Sequence, residues 1–264
     1  MRIFGHCLLA AWAMAVVAVT LSGCSSLLSS VSEPEDLATE TQARLTLRAL
    51  AGQNEKLTSF KGLGKIKVWH DGVKKIDERI AWIGSEPDKL SLVILISGHP
   101  TVRMASDGKW FYYYETRRDE PVYQKRPASD VTLKRFVSIP IKTSDIVQLL
   151  AGRTPIREHH TARLNRQSSG PGYVLSLKKR WWGIVEKVYL DENKTLVRQI
   201  DFFNRSGSLI YRAHLDKTQM IEGYRVPARL QISGEQGIGF ELEIIRYIVN
   251  VPVSPSMFVL KPPE

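Results

Sequence analysis

The sequence is poor in cysteine, with two in 264 residues, Cys7 and Cys24. That excludes a disulfide framework and a zinc site built on cysteines. Histidine is scarce as well, at six, and its one cluster is Arg157-Glu158-His159-His160. Adjacent histidines on a strand point to opposite faces, so this pair suits a metal ion poorly. No Gly-x-Ser-x-Gly nucleophile elbow occurs. Gly62-Leu63-Gly64-Lys65 lacks the spacing and the Ser/Thr of a phosphate loop, and reads instead as a kinked first strand. Glu241 and Glu243 share a strand face and read as a solvated stripe rather than an acid–base pair. These absences point away from an enzyme and leave no cofactor or metal to expect. Acidic residues are the minority, 27 against 37 Lys+Arg, for a formal charge of +10 and a pI near 9.6. Such a balance attracts polyanions: nucleic acid, anionic lipid or acidic glycan. With 43% hydrophobic and 24% charged residues, wholesale disorder, collagen and a polytopic membrane protein are excluded.

What is present at the start settles the compartment. Arg2 precedes Cys7–Val19, a 13-residue run without a charge, and small residues come after it. This is the layout of a secretory signal, and the run is shorter than the about 20 residues of a comfortable transmembrane helix. Leu21-Ser22-Gly23-Cys24 resembles the bacterial lipobox. By that resemblance residues 1–23 are a signal peptide, and Cys24 becomes an acylated N-terminus that anchors the chain to a membrane. Ser25, rather than Asp, then points to the periplasmic face of the outer membrane. Nucleic acid is not the natural partner there, whatever the pI. Residues 24–34 are Ser-rich and read as a tether.

Beyond the tether the grammar is mostly that of strands. Pro34, Glu35 and Asp36 suit a helix start, and Ala38, Leu45, Ala49 and Leu50 suggest one helix ending near Gly52. Strand patterns follow at Ile66–Val68, Ile76–Trp82, Leu90–Ile96 and Trp110–Tyr114. A helical interval covers Asp130–Val137 and Ser144–Leu150, stopped by Gly152. Strands resume at Tyr173–Leu177, Ile184–Leu190, Leu196–Phe203, Leu209–Leu215, Tyr224–Ile232 and Ile238–Ile248. The expectation is one mainly β (α+β) domain, residues 35–264, built on a single antiparallel sheet of roughly eleven strands, large enough to curl. Leu92–Ile96 and Trp110–Tyr114 are apolar on both faces, so both faces need cover. Either core residues fill the concave face, or it encloses an apolar cavity beneath a lid.

The order of lipobox, Ser-rich tether, helix and first strand Phe60-Lys61-Gly62-Leu63-Gly64-Lys65-Ile66-Lys67-Val68 resembles the LolA/LolB superfamily of periplasmic lipoprotein carriers and receptors. Ile139-Pro140-Ile141 through Leu149-Leu150-Ala151-Gly152-Arg153-Thr154-Pro155 is similar to the mid-chain segment of its LolB side. Pro255-Ser256-Met257-Phe258-Val259-Leu260-Lys261-Pro262-Pro263 is similar to its final strand. The resemblance implies an unclosed, strongly curved β-barrel with a helical lid over an acyl-binding cavity. It also implies lipid or lipoprotein acyl chains as ligand and a periplasmic carrier protein as partner. Where LolB-type receptors place an exposed Leu in the loop after the third strand, this chain has Ser97-Gly98-His99-Pro100, with Ile96 the nearest apolar residue.

The expected function is non-enzymatic acyl-chain binding in envelope lipid or lipoprotein trafficking. The alternative is a filled barrel whose basic surface docks a protein complex, lipopolysaccharide or peptidoglycan. Candidate cavity residues are Trp82, Leu92, Ile94, Trp110, Tyr112, Phe202, Tyr211 and Leu230, and a slip of one residue would reverse any strand's face. Trp181 and Trp182, beside Lys178, Lys179 and Arg180, are candidate membrane contacts, since tandem Trp with cations suits an anionic interface. The other reading of that pair packs one Trp under the sheet edge.

Overall fold

The computed structural model describes residues 34–116, 120–128, 139–235 and 237–262, with side chains from residue 39 onward. Cys24 and the helix expected over Asp130–Val137 lie outside the described residues. Residues 38–264 form one compact unit, and the whole sheet lies in it.

Helix α1 (Pro34–Gly52) comes first. Its buried residues are Ala43, Thr46 and Leu50, at the i, i+3, i+7 spacing of one helical face, while Leu45 and Ala49 face solvent. The inward face is thus rotated from the one that Leu45 and Ala49 suggest. Thr46 keeps its hydroxyl satisfied there by donating to the Gln42 carbonyl at 2.9 Å.

The strands are β1 (Ser59–His70), β2 (Val73–Ser85), β3 (Lys89–Ile96), β4 (His99–Ser106), β5 (Trp110–Glu115) and β6 (Val122–Pro127). After helix α2 (Thr143–Leu150) come β7 (Thr161–Arg166), β8 (Tyr173–Lys179), β9 (Gly183–Leu190), β10 (Val197–Phe203), β11 (Leu209–Ile221), β12 (Tyr224–Ser233) and β13 (Gly239–Val249). A single 3-10 turn, Pro255–Phe258, comes last. Among the described residues these thirteen strands make one antiparallel sheet in the order β6-β5-β4-β3-β2-β1-β13-β12-β11-β10-β9-β8-β7. The strand count exceeds the expected eleven. The strands the pattern passes over are β4, β6 and β7, and two of those are the sheet's edges.

Because β6 and β7 do not pair with each other, the barrel is unclosed. Both edges are blunted against further pairing. β6 ends in exposed Lys125, Arg126 and Pro127, and β7 carries Arg163 and Arg166. The ladder between β1 and β13 slips at Leu63/Gly64, and such irregularities increase twist and curl a sheet. Two-residue turns with both central φ positive close three hairpins: Asp71-Gly72, Ser97-Gly98 and Glu222-Gly223. Their backbone twist matches that of the flanking strands, so they fix register.

The registers place the turns at Asp71-Gly72, Ser97-Gly98, Arg180–Trp182 and Asn204–Gly207, and the start of β13 at Gly239, at one end of the sheet. Together these turns form the rim of the half-barrel.

Candidate functional site

One face of the curved sheet carries the core. On β1 it is Phe60, Gly62, Gly64, Ile66 and Val68; on β2, Ile76, Ile80, Trp82 and Gly84. Large and small residues alternate across the ladder. Phe60 lies opposite Gly84 and Trp82 opposite Gly62. A Cβ on Gly84 would meet Phe60 Cζ at 2.4 Å, and one on Gly62 would meet Trp82 Cζ2 at 2.3 Å. The glycines therefore let two large rings lie against the sheet floor, and Phe60 stacks on Tyr247 with centroids 5.6 Å apart.

Above this floor helix α2 packs over β3 and β12. Between helix and sheet lies a hollow of about 230 Å³. Trp82, Leu90, Leu92, Ile94, Leu230 and Leu242 form its deeper wall, and Ile146 and Leu150 of α2 roof it. The wall continues to Trp69 and the exposed His70 at the rim, so the hollow reaches solvent at that end. Its lining is hydrocarbon and indole except for the Met104 thioether and His70. An engineered apolar cavity of about 150 Å³ stays dry and takes up benzene, so a space of this size and lining prefers hydrocarbon to water.

The expected cavity residues divide. Trp82, Leu92, Ile94 and Leu230 line the hollow together. They share a face because the ladder pairs Trp82 with Leu92 and Ile80 with Ile94. Trp110 and Tyr112 stand elsewhere. The register sets Tyr112 opposite Ala105, one residue off from Met104, which does line the hollow. Their face of β5 is therefore the opposite one. Trp110 is 41% exposed with Lys125 over its ring, and the Tyr112 hydroxyl donates to Asp107 at 3.1 Å. Burial and that carboxylate push the Tyr112 phenol up to about 12.

Phe202 and Tyr211 keep the concave face but belong to the other half of the sheet, which side chains fill. There Leu164, Leu175, Leu177, Val188 and Ile200 are buried in the core. The filled half also holds a polar knot that sequence patterns do not reveal. Asp145, the third residue of α2, is 1% exposed. It accepts both guanidinium donors of Arg157, at 2.8 and 2.5 Å, and the Tyr211 hydroxyl at 2.6 Å. The Arg157 guanidinium lies 4.3 Å from the Phe202 ring centroid, and the Arg157 backbone N–H donates to Glu186 Oε2 at 2.7 Å. Burial works against the Arg157 charge, but the bonds to Asp145 outweigh it and hold the guanidinium protonated above its ordinary range. Glu186 is wholly buried. Desolvation raises its carboxyl to about 8, only partly offset by Arg157, so it is protonated at neutral pH. Among the described residues the buried side-chain polar atoms without a hydrogen-bond partner are Glu186 Oε1 and Trp82 Nε1.

The C-terminal end of α2 is held too. Tyr247 donates to the Leu150 carbonyl at 2.8 Å, and Asn54 to the Ala151 carbonyl at 2.8 Å. Gly152 comes next with φ +71°, and a Cβ there would stand 2.1 Å from the Arg225 carbonyl oxygen. Arg153 then caps the carbonyls of Asn54, Glu55 and Leu57 and pairs with Glu86. The motif Leu149-Leu150-Ala151-Gly152-Arg153 is thus the clamp that seats the roof.

The Ser97-Gly98 turn is a minimal two-residue link, flanked by Ile96 at 38% exposure. Trp181 is 83% exposed and Trp182 41%. Lys179 and Arg205 lie over the Trp182 ring, at 5.0 and 5.8 Å, and Arg180 over the Trp181 ring at 5.3 Å. Among the described residues no helix is long and apolar enough to cross a membrane, and no group of His, Cys, Asp or Glu is arranged to hold a metal ion.

The sequence matches no protein-family model and no curated protein. Its fold is similar to solved structures. A LolA-superfamily protein from Nitrosomonas europaea superposes with a TM-score of 0.55 at 14% identity, covering 83% of this chain and 97% of that one. A DUF1329-family protein from Desulfovibrio piger gives 0.52 at 11% identity, covering 84% and 97%. The chain therefore has a LolA/LolB-like fold: an unclosed, curved antiparallel sheet with a helix across its concave face.

Proposed function

We propose that this chain is a non-enzymatic lipoprotein of the outer membrane that holds an acyl chain of a lipid or of another lipoprotein in the hollow beneath α2. The observation that carries the reading is the hollow itself: an apolar space of about 230 Å³, roofed by Ile146 and Leu150 and walled by Trp82, Leu92, Ile94 and Leu230. A core built only for stability would fill that space, since each missing contact costs dispersion and transfer energy. Each methylene held there contributes about 0.8 kcal/mol, before the cost of ordering the chain. The likeness of fold to a LolA-superfamily protein supports the same reading. Cys24 would supply the anchor, and a periplasmic carrier would be the partner in transfer.

The test uses the full chain with Cys24→Ser, which removes its own acyl chains as competitors. A fluorescent fatty acid is expected to bind saturably, and Leu92→Trp, which fills the hollow, to weaken binding about tenfold or more while leaving the far-ultraviolet spectrum unchanged. Absence of saturable binding, or indifference to Leu92→Trp, would overturn the reading.

A further inference from the structure

The end of the sheet at which the hollow opens also bears exposed apolar groups on its turns. Val73, Ile96, Trp181 and Trp182 are exposed there, at 55, 38, 83 and 41%. Trp181 is the most exposed, and it occupies φ +68°, a backbone conformation that favours glycine or asparagine. Nothing in the fold requires a bulky residue at this place. The turn is held by the Trp182 N–H donating to the Lys179 carbonyl at 3.0 Å, which any side chain at position 181 would allow. The backbone there favours glycine over Trp181, and the only ring contact of the exposed indole among the described residues is with the neighbouring Arg180.

The surroundings are basic. Trp182 borders a cleft with Lys142, Lys179 and Arg205, in which Glu158, hydrogen-bonded to Lys179 at 2.6 Å, is the one carboxylate. Lys178 and Arg180 flank the same hairpin. Arg180 and Arg205, stacked on indoles and exposed, together with Lys179 form a surface suited to lipid phosphates, with the rings at headgroup depth.

We propose that this rim docks on an anionic phospholipid bilayer, with Trp181 and Trp182 entering the headgroup region and Lys179, Arg180 and Arg205 facing lipid phosphates. The proposal deepens the acyl-binding reading and rests on it for one point, that a chain entering beside Trp69 and His70 would pass directly between bilayer and hollow. Charge complementarity and the geometry of the hairpin argue for a membrane. A protein-docking tip would need a complementary partner surface, and nothing in the rim's own shape calls for one.

The test uses the full lipidated chain reconstituted into vesicles, so that the anchor holds every variant at the surface and only docking of the rim is read. Tryptophan emission is followed with brominated phospholipid as quencher from the membrane side and iodide from the aqueous side. In vesicles containing phosphatidylglycerol the parent should show bromolipid quenching that Trp181→Ser/Trp182→Ser removes. Arg180→Gln and Arg205→Gln should each shift the docked-to-undocked ratio about fivefold toward undocked. Trp181→Gly should raise the melting temperature while reducing docking, a combination that a purely structural role cannot produce. Iodide-accessible, bromolipid-insensitive indoles in anionic vesicles overturn the proposal, and that is the result a protein-docking tip would give. The fatty-acid measurement on the same variants separates the two readings. Retained acyl binding without bromolipid quenching sinks only the docking rim, and quenching without acyl binding sinks only the carrier.

Discussion

Gly62 lies opposite Trp82 in the β1–β2 ladder, so close that a Cβ on the glycine would stand 2.3 Å from Trp82 Cζ2. The glycine sets where the indole rests, and the indole is part of the wall of the hollow. Gly62→Ala should therefore push the ring off the floor and into the space above it. Forcing one extra carbon into a packed site costs about 1–3 kcal/mol, which in a chain of this size lowers the melting temperature by about 2–4 °C per kcal/mol. Fatty-acid affinity should fall in parallel. Gly52→Ala is the control: nothing lies within 4 Å of a Cβ there, and its φ is not left-handed, so neither stability nor binding should fall. Calorimetry and probe titration on the two variants check both expectations.

That relationship was half legible in the sequence. Gly62 and Gly64 announce a kinked first strand, and even spacing puts Ile76, Ile80 and Trp82 on one face. The patch of Trp82, Leu92 and Ile94 could be proposed because even spacing links Ile80 to Trp82 and Leu90 to Leu92 and Ile94, although Val93 and Leu95 make the other face of β3 apolar too. The strands that escape, β6 with Val-Tyr-Gln-Lys-Arg-Pro and β7 with Thr-Ala-Arg-Leu-Asn-Arg, are the sheet's edges. An edge strand has one neighbour and needs charge or proline to deter another, so its pattern is the least strand-like in the sheet. β4 is missed for a different reason: Pro100 sits where the β3–β4 register slips, so the turn signal runs on into the strand. Trp110 and Tyr112 could not be assigned a face because Trp110–Tyr114 is aromatic throughout and carries no alternation to read. The knot of Asp145, Arg157, Glu186 and Tyr211 leaves no local trace at all. Its members are brought together by strand order, not by spacing along the chain.

Glu186 makes stability depend on pH with a definite sign. Its carboxyl is raised from an ordinary value of 4.5 to about 8 in the folded chain, chiefly by desolvation. Below 4.5 both folded and unfolded chains hold the proton, and the full stability is present. As pH rises toward 8 the unfolded chain releases the proton and the folded chain keeps it, so stability falls across that window and levels off above it. Each pH unit of that window removes about 1.4 kcal/mol, so the loss is on the order of 3–5 kcal/mol. Glu186→Gln keeps the acceptor for the Arg157 N–H at Oε1 and cannot ionise. It should match the parent near pH 4.5 and exceed it near pH 8 by most of that amount. Urea unfolding of the two chains across this range checks the prediction. Curves that stay parallel would show that Glu186 is ionised in the fold.

Asp145 ties the first turn of the roof helix to the filled half of the sheet through Arg157 and Tyr211. Asp145→Asn removes the partner of an inward guanidinium while keeping the side chain's size. Breaking a buried pair from one side costs about 3–5 kcal/mol, because the remaining charge is left uncompensated. Here a second carboxyl is at hand. Asp145 is one of the groups that raise Glu186, so its loss lowers the Glu186 carboxyl and lets that residue ionise beside Arg157. The penalty should therefore be largest near pH 5, where Glu186 keeps its proton, and smaller near pH 8, where it can replace the missing charge. Because the grip is on α2, release of a bound fluorescent fatty acid should also become faster. Asp201→Asn separates this from general weakening. It breaks a similar two-bond pair, Asp201 with Arg212 at 2.7 Å in both contacts, which touches neither α2 nor the hollow. That variant should lose stability without quickening release. Equal acceleration in both variants would mean that the roof opens by loosening of the whole sheet, not by letting go of Arg157.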